Sequence, residues 1–452
     1  MRHHICLGLN FDTRCVQAGQ EEPESASRAR AVPIYATSSY VFKDSKNGAD
    51  LFGLRTPGYI YARINNPTTD AFEKRMAALE GGSQAVATSS GLSAQLLAVL
   101  GCAHTGDNII SSSYLYGGTF NAFKNFHKWF NIEPRFADGD DLESMKKLAD
   151  DRTKAVYLES IGNPKYNVPD FKPIIEWAHS KGIAVVVDNT FGAGGYYCNP
   201  LELGADVVTH SATKWIDGHG TAIGGVIIYK DVTKDNGFKF SDYPKKYPQF
   251  SEPSGGYHGE ILNEKFGALA YIAYVRVELM RDLGPTLSPF AAFLMLNGLE
   301  TLALRGEKHA KNALALAKWL QKSPYVAWVS YPGLDDHPYH KNAEKYLHNG
   351  YGAVLSFGVK PVANPSGDQF KESGPRVVDN LKIWSNLANV GDSKSLIINP
   401  WTTTHEQLSS KEKLASGVTP DLLRCAVGIE NVEDLEADLE QAFHAVFGEQ
   451  KK

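Results

Sequence analysis

The stretch IAVVVDN (183–189), followed by DVVTHSATKW (206–215), decides the fold. Each opens as a short continuous run of mainly β-branched residues and closes on polar or small ones. Runs of that length, apolar at successive positions, read as strands buried on both faces of a largely parallel sheet. Four more segments share the pattern: AVATSS (85–90), NIISSS (108–113), AVYLES (155–160) and GGVIIY (224–229). Helical patterns lie between them. Asn66 is a good N-cap and Pro67 a good first helical residue. Phe72, Met76 and Leu79 recur at helical spacing, and Gly81-Gly82 ends the run. The stretch from about 169 to 182 carries the helix between two strands. The expected class is α/β.

Outward from this centre the rhythm changes. Residues 1–58, with two prolines in AVPIYATSSYVF and the polar stretch before it, predict an extended arm. Residues 230–275 are rich in aromatics, Pro and Gly and read as a long ordered loop or insertion, placed as a lid or entrance wall. A helical pattern runs from about 286 through FLMLNGLETLALRGEKHAKNALALAKWLQ. A second, smaller α/β region follows, with strand-like GAVLSFGV (352–359) and LRCAVGI (423–429). Val432, Leu435, Leu439, Phe443 and Val446 share one face of a last helix, with Gly448 after its end. The expected units are an N-terminal arm at 1–58 that contacts a neighbouring subunit, a large domain at 59–296 and a C-terminal domain at 297–452.

Composition excludes several classes. The chain has 452 residues, enough for two or three domains, with 43% hydrophobic and 21% charged residues. Its 46 Lys+Arg against 51 Asp+Glu give a net charge of −5, with no electrostatic reason for a nucleic acid or anionic membrane partner. Cys6, Cys15, Cys102, Cys198 and Cys425 are scattered, with no CxxC pair. That spacing fits neither a disulfide framework nor a zinc site, so no metal is expected and a reducing, cytoplasmic compartment is. The first ten residues lack the apolar core of a signal peptide, and no apolar run approaches a membrane span.

Three features carry chemistry. In VVVDNT, Asp188 and Asn189 fall at the carboxyl end of a strand, where open α/β sheets bind ligands. A buried acid there faces a cation or a cofactor nitrogen; taken alone, it is as readily a helix cap. In HSATKW, Lys214 follows the next strand with Ser211 and Thr213 beside it. Such a lysine forms a Schiff base with a carbonyl cofactor while the hydroxyls hold a phosphate; taken alone, it is more often a solvated lysine. SSGLSAQ (89–95) sits at a strand-to-helix junction whose N–H groups form an anion nest. Together these describe a site for pyridoxal 5'-phosphate. The lysine binds the aldehyde carbon, the acid keeps the pyridine nitrogen protonated, and the nest holds the phosphate.

Further motifs run the length of the chain: GYIYARINNPT (58–68), ALEGG (78–82), YLYGGT (114–119), ESIGNP (159–164), THSATKWIDGHG (209–220), GLETLALR (298–305), TTTHEQL (402–408) and LRCAVGIE (423–430). With these the chain resembles the γ-family of pyridoxal phosphate enzymes of cysteine and methionine metabolism. It is most similar to that family's fungal O-acetylhomoserine sulfhydrylase branch, in SRARAVPIYATSSYVF, IGNPKYNVPDF, FGAGGYYCNP and the insertion PQFSEPSGGYHGEILNEKFGALAYI. The resemblance implies a fold-type I transferase: a large three-layer αβα domain and a smaller C-terminal α/β domain. It implies γ-replacement on O-acetylhomoserine, with sulfide giving homocysteine and acetate, and O-acetylserine as a possible second substrate. It also implies a homo-oligomer, a dimer of dimers.

The same resemblance implies residue roles. Lys214 carries the cofactor and Asp188 pairs with its ring nitrogen. Tyr116 stacks on the ring and assists proton transfer. Ser90, Gly91, Leu92, Ser211 and Thr213 hold the phosphate, Asn163 lies near the ring hydroxyl, and Glu159 lies near the ring. Tyr61 and Arg63 reach the neighbouring subunit's cofactor, with Tyr61 also near substrate. Arg424 grips the substrate carboxylate with help near Ser395. Asp217 replaces a common Gly and is expected to place a carboxylate close to Lys214. Asn399 to Thr403 (NPWTT) departs from the common HPAST. Gly118 stands where methionine lyases tend to have cysteine. Competing readings are a cystathionine γ-synthase, a carbon-nucleophile enzyme of secondary metabolism, and a non-catalytic cofactor-binding protein.

Overall fold

The computed structural model describes residues 8–364, 366–407, 409–415 and 417–449. Cys6, the first seven residues of the expected arm, and Leu408 at the end of the TTTHEQL motif lie outside the described residues. Seven strands form the first sheet: β1 (Gln84–Thr88), β2 (Asn108–Ser111), β3 (Glu133–Phe136), β4 (Thr153–Glu159), β5 (Ala184–Asp188), β6 (Val207–Ser211) and β7 (Gly225–Tyr229). Their order is β1-β7-β6-β5-β4-β2-β3, and β7 is antiparallel to both of its neighbours while the other pairs are parallel. One reversed strand therefore interrupts an otherwise parallel sheet.

The alternation along these strands shows why they are continuous apolar runs. Val185 and Val187 of β5 enter one hydrophobic cluster, while Ala184 and Val186 enter the other. β4 divides likewise, with Val156 and Leu158 against Ala155 and Tyr157. Both faces are covered, so neither position may be polar. The helix Pro67–Glu80 begins as the sequence predicts: the Asn66 side chain accepts from Thr68 N, and Gly81 closes it at φ 71°.

A second sheet holds β8 (Val326–Ser330), β9 (Val354–Val359), β10 (Ser385–Asn386), β11 (Leu396–Ile398) and β12 (Leu422–Ala426), in the order β10-β11-β12-β9-β8. The helices Leu302–Lys322 and Val432–Phe447 meet beside it, where Trp319 stacks on Phe443 at 6.3 Å. The expected single helical run from 286 is two helices, Pro289–Glu300 and Leu302–Lys322. Arg305 Nη2 donates to the Gly298 carbonyl at the break and takes an acceptor that a continuous helix would use.

Two expectations are corrected. Residues 1–58 are not simply an extended arm. The helix Phe11–Gln17 buries Cys15, and Arg14 donates to Ala78 O (2.6 Å) on the helix Pro67–Glu80. A second helix, Ser45–Phe52, is capped by Asp44. Residues 230–275 are not a lid. Phe240, Tyr247, Phe250 and Tyr271 are buried in the second cluster, and the Tyr247 hydroxyl donates to Lys154 O (2.7 Å) and accepts from Ala184 N (3.2 Å). The insertion is the aromatic cover of the sheet's outer face. Cys15, Cys102, Cys198 and Cys425 are free and buried. Among the described residues, no helix is long and apolar enough to cross a membrane.

Candidate active site

A cavity of about 310 Å³ opens where the carboxyl ends of β1, β4, β5 and β6 face residues 388–390, Thr404 and Arg424. It lies at the crevice that the strand pattern predicts.

At its base Asp188 ends β5, in register with Glu159 of β4 and Thr209 of β6. Asp188 Oδ1 accepts from Thr190 N (2.9 Å) and Thr190 Oγ1 (2.6 Å), and Oδ2 accepts from Gln95 Nε2 (2.7 Å). Thr119 Oγ1 donates to Gln95 Oε1 (3.0 Å), which fixes the amide's orientation. Burial raises the Asp188 pKa, and the bonds from Thr190, the nearby His210 and Gln95 oppose the rise. Glu159 is a second buried carboxyl. Burial first, and the charge of Asp188 next, push it well above the usual carboxylate range. Its Oε1 accepts from Tyr116 N (2.7 Å), so it anchors the segment carrying Tyr116, a residue 50% exposed at the cavity mouth. Asn163 also lines the cavity, and its N–H bonds to Glu159.

The anion cradle is built by close approach. Ser90 caps the helix Gly91–Cys102 and accepts from Ser93 N (3.1 Å). A Cβ on Gly91 would lie 2.6 Å from Ser211 Cβ, so only glycine lets this helix start sit against the end of β6. Ser90, Gly91, Leu92, Ser211 and Thr213 all line the cavity. A helix N-terminus beside two hydroxyls and a lysine suits a phosphate.

Lys214 Nζ points into the cavity and donates to Asn389 Oδ1. Burial, with Arg424 adding to it, lowers its pKa to about 8. Arg424 stands on β12, paired with Ser356 of β9 and Ile398 of β11. Its side chain has no hydrogen-bond or ion-pair partner among the described residues, and burial pulls its pKa down. An unpaired guanidinium in a cavity wall is a receptor awaiting an anion.

Some expected residues lie elsewhere. Ser395 is fully buried away from the cavity: its hydroxyl donates to Glu430 Oε2 (2.9 Å) and accepts from Gly428 N (2.8 Å). Asn389, which the sequence reading missed, lines the wall instead. Asp217 does not crowd Lys214. Its carboxylate accepts from Thr221 N (2.9 Å) and Thr221 Oγ1 (2.7 Å) and organises the following turn. Asn399 is structural, donating to Pro420 O and Leu422 O. Tyr61 and Arg63 do not line this chain's cavity. Tyr61 is 43% exposed, and the Arg63 guanidinium lies 5.3 Å from its ring centre. Gln95, Thr190 and Thr404 were also missed as site residues. Gln95 had a signal, four residues after Gly91 on one helix face.

The donor set fits pyridoxal phosphate: an acid at the sheet end, a lysine with depressed pKa, and a phosphate cradle that a Cβ at Gly91 would fill. Fold and site together define a pyridoxal phosphate enzyme. A model of the Cys/Met metabolism PLP-dependent enzyme family matches residues 12–444, and the chain belongs to that family. It is 63% identical to the homocysteine/cysteine synthase of Saccharomyces cerevisiae, over 98% of this chain and 99% of that one. It is 49% identical to the O-acetyl-L-homoserine sulfhydrylase 1 of Thermus thermophilus, over 96% and 100%. A solved Campylobacter jejuni protein, named as an O-acetylhomoserine (thiol)-lyase and carrying N'-pyridoxyl-lysine-5'-monophosphate, superposes with a TM-score of 0.89 at 36% identity, over 96% and 100%.

Proposed function

We propose that this enzyme catalyses γ-replacement on O-acetyl-L-homoserine, in which sulfide displaces acetate and homocysteine forms. The single observation that carries the substrate side is Arg424, an unpaired guanidinium across the cavity from Lys214. The names and near-complete coverage of the relatives support the reaction, and the yeast relative's double name favours cysteine as a second product. Bound pyridoxal phosphate supplies the electron sink that stabilises negative charge at the substrate Cα.

The chain supplies the rest. Ser90, Gly91, Leu92, Ser211 and Thr213 hold the phosphate. Asp188, fixed by Gln95 and Thr190, keeps the ring nitrogen protonated. Lys214 holds the aldehyde carbon. Once free, its depressed pKa leaves much of it as neutral amine near pH 8, able to take the Cα proton. Tyr116 assists removal of a proton from Cβ, whose electron pair then expels acetate from Cγ. Asn163 sits near the ring hydroxyl. Arg424 binds the substrate carboxylate, and Asn389 takes the supporting place expected of Ser395.

The enzyme works as a homo-oligomer of at least two subunits. Tyr61 and Arg63, exposed and outside their own cavity, serve the neighbouring subunit's phosphate, and a pair of dimers completes the assembly. Its place is the cytoplasm, in keeping with four free buried thiols. The test incubates cofactor-loaded enzyme with O-acetylhomoserine, with and without sulfide, and identifies products by mass spectrometry. Homocysteine that forms only with sulfide supports the reading. Release of acetate without homocysteine would move the nucleophile to another thiol or carbon acid.

A further inference from the structure

The chain leaving the aromatic cover widens into a π-helix at Val275–Met280, a departure often found at functional segments. Arg276 stands at its start. Its Nη1 donates to Ile64 O (3.0 Å), and its Nη2 donates to Glu73 Oε2 (2.6 Å) and Ala85 O (2.7 Å). Glu73 is buried, and its other oxygen accepts from Ala87 N (2.8 Å) in β1. One guanidinium thus joins the loop before the helix Pro67–Glu80, that helix, and the first strand.

The next ten residues repeat the connection. Arg63 donates to Arg281 O, and Thr286 Oγ1 donates to Ala62 O (3.4 Å). Pro285 O accepts from Ser89 N (2.7 Å), at the start of the phosphate cradle. Residues 276–286 therefore hold the loop that carries Tyr61 and Arg63. Two of these holds are charge-assisted, Arg276 on Ile64 O and Arg63 on Arg281 O. The cradle of the same chain has independent support: the full β1–β7 ladder and the Ser90 cap. The loop bears exposed Tyr61 and has a single bridge, Tyr61 to Ser39, in place of such a ladder. Beyond the backbone bonds to Ser38 and Tyr40, its aim depends on side-chain anchors.

We propose that Arg276 is a positioning residue for the neighbouring subunit's cofactor site, fixing the Ile64 carbonyl so that Tyr61 and Arg63 project across the subunit boundary. This rests on the reading that those two residues act in trans. Arg276 touches neither cofactor nor substrate.

The experiment uses mixed oligomers isolated with two affinity tags. Arg276→Met alone is expected to weaken pyridoxal phosphate binding by about tenfold, read by titrating the visible band of the lysine-bound cofactor. In a mixed oligomer with Lys214→Ala, each Arg276→Met chain keeps its own lysine and receives an intact loop from its partner. Those sites recover wild-type cofactor affinity, and turnover returns to about half of wild type, as one working site per symmetric pair requires. Affinity in the mixed oligomer that stays as weak as in Arg276→Met alone would overturn the proposal, because the damage would then lie in the chain's own site. Arg63→Ala mixed with Lys214→Ala runs in parallel. If neither mixture recovers, the trans reading itself fails; if only Arg63→Ala recovers, the failure belongs to Arg276. Should Arg276→Met not assemble, Arg276→Lys keeps the charge on Glu73 and loses the second donor. A smaller loss with the same rescue supports the proposal, and a loss without rescue overturns it.

Discussion

Replacing Arg424 by methionine separates a binding group from a structural one. The guanidinium is held on the central strand β12, faces the cavity, and has no partner of its own among the described residues. A two-pronged bond to a substrate carboxylate is worth about 3 kcal/mol or more, since each hydrogen bond to a charged group contributes about 1.5 kcal/mol at the low end. Arg424→Met should therefore lower kcat/KM for O-acetylhomoserine by roughly 100-fold. Stability should move the other way or not at all, because an unpaired half-buried cation costs free energy that a thioether of similar length does not. The assay pairs steady-state kinetics with urea unfolding of the cofactor-loaded enzyme. A substrate analogue with an amide in place of the carboxylate adds a control. Wild type should discriminate strongly against it, and the variant should not. A kcat/KM within about threefold of wild type, with stability lower by more than about 1 kcal/mol, would refute the reasoning and make Arg424 part of the fold.

Three further outcomes follow from the site. Lys214 has a folded pKa of about 8 against an ordinary 10.5, so the unfolded chain holds more protons between those values. Stability of the cofactor-free protein should rise as pH climbs from 8 toward 10.5, and Lys214→Met should flatten that rise in urea unfolding curves. Gly91→Ala places a Cβ 2.6 Å from Ser211 Cβ and 2.8 Å from its Cα, and the backbone must shift. It should cost about 1–3 kcal/mol of stability and weaken cofactor retention on dialysis. Ser395→Ala removes a buried hydroxyl bonded to Glu430 and Gly428, so it should cost about 1 kcal/mol in unfolding while leaving the KM for O-acetylhomoserine unchanged.

The strands that the sequence reading found and those it passed over differ in one physical respect. β4, β5, β6 and β7 are covered on both faces, so each appears as an apolar run. β3 and β8 are edge strands. β3 contains Pro134 and is only half-buried, and β8 exposes Ala327 and Trp328. An edge left open to solvent needs no apolar run, so the pattern is absent, whereas the edge strand β1 is covered on both faces and shows it. β10 and β11 are two and three residues long, too short to carry a period. The aromatic stretch 230–275 shows the converse. Its composition signalled importance, but only packing decided that Phe240, Tyr247 and Phe250 seal the sheet rather than gate the cavity.

For the site, local sequence determined what one strand end and its following turn can present: Asp188, the Ser211–Lys214 turn and the cradle at Ser90–Leu92. Their chemistry follows from residue type and a few positions of chain, because a buried acid, a lysine and a helix start are local facts. What tertiary structure decided is which distant groups meet them. Asn389 and Arg424 arrive from beside and within the second sheet, 175 and 210 residues beyond Lys214 in the sequence. Ser395, six residues from Asn389, turns instead to Glu430. Asp217, three residues from Lys214, turns to Thr221. Direction at such positions depends on register and on the partner each polar group must find once buried, and those partners lie far along the chain.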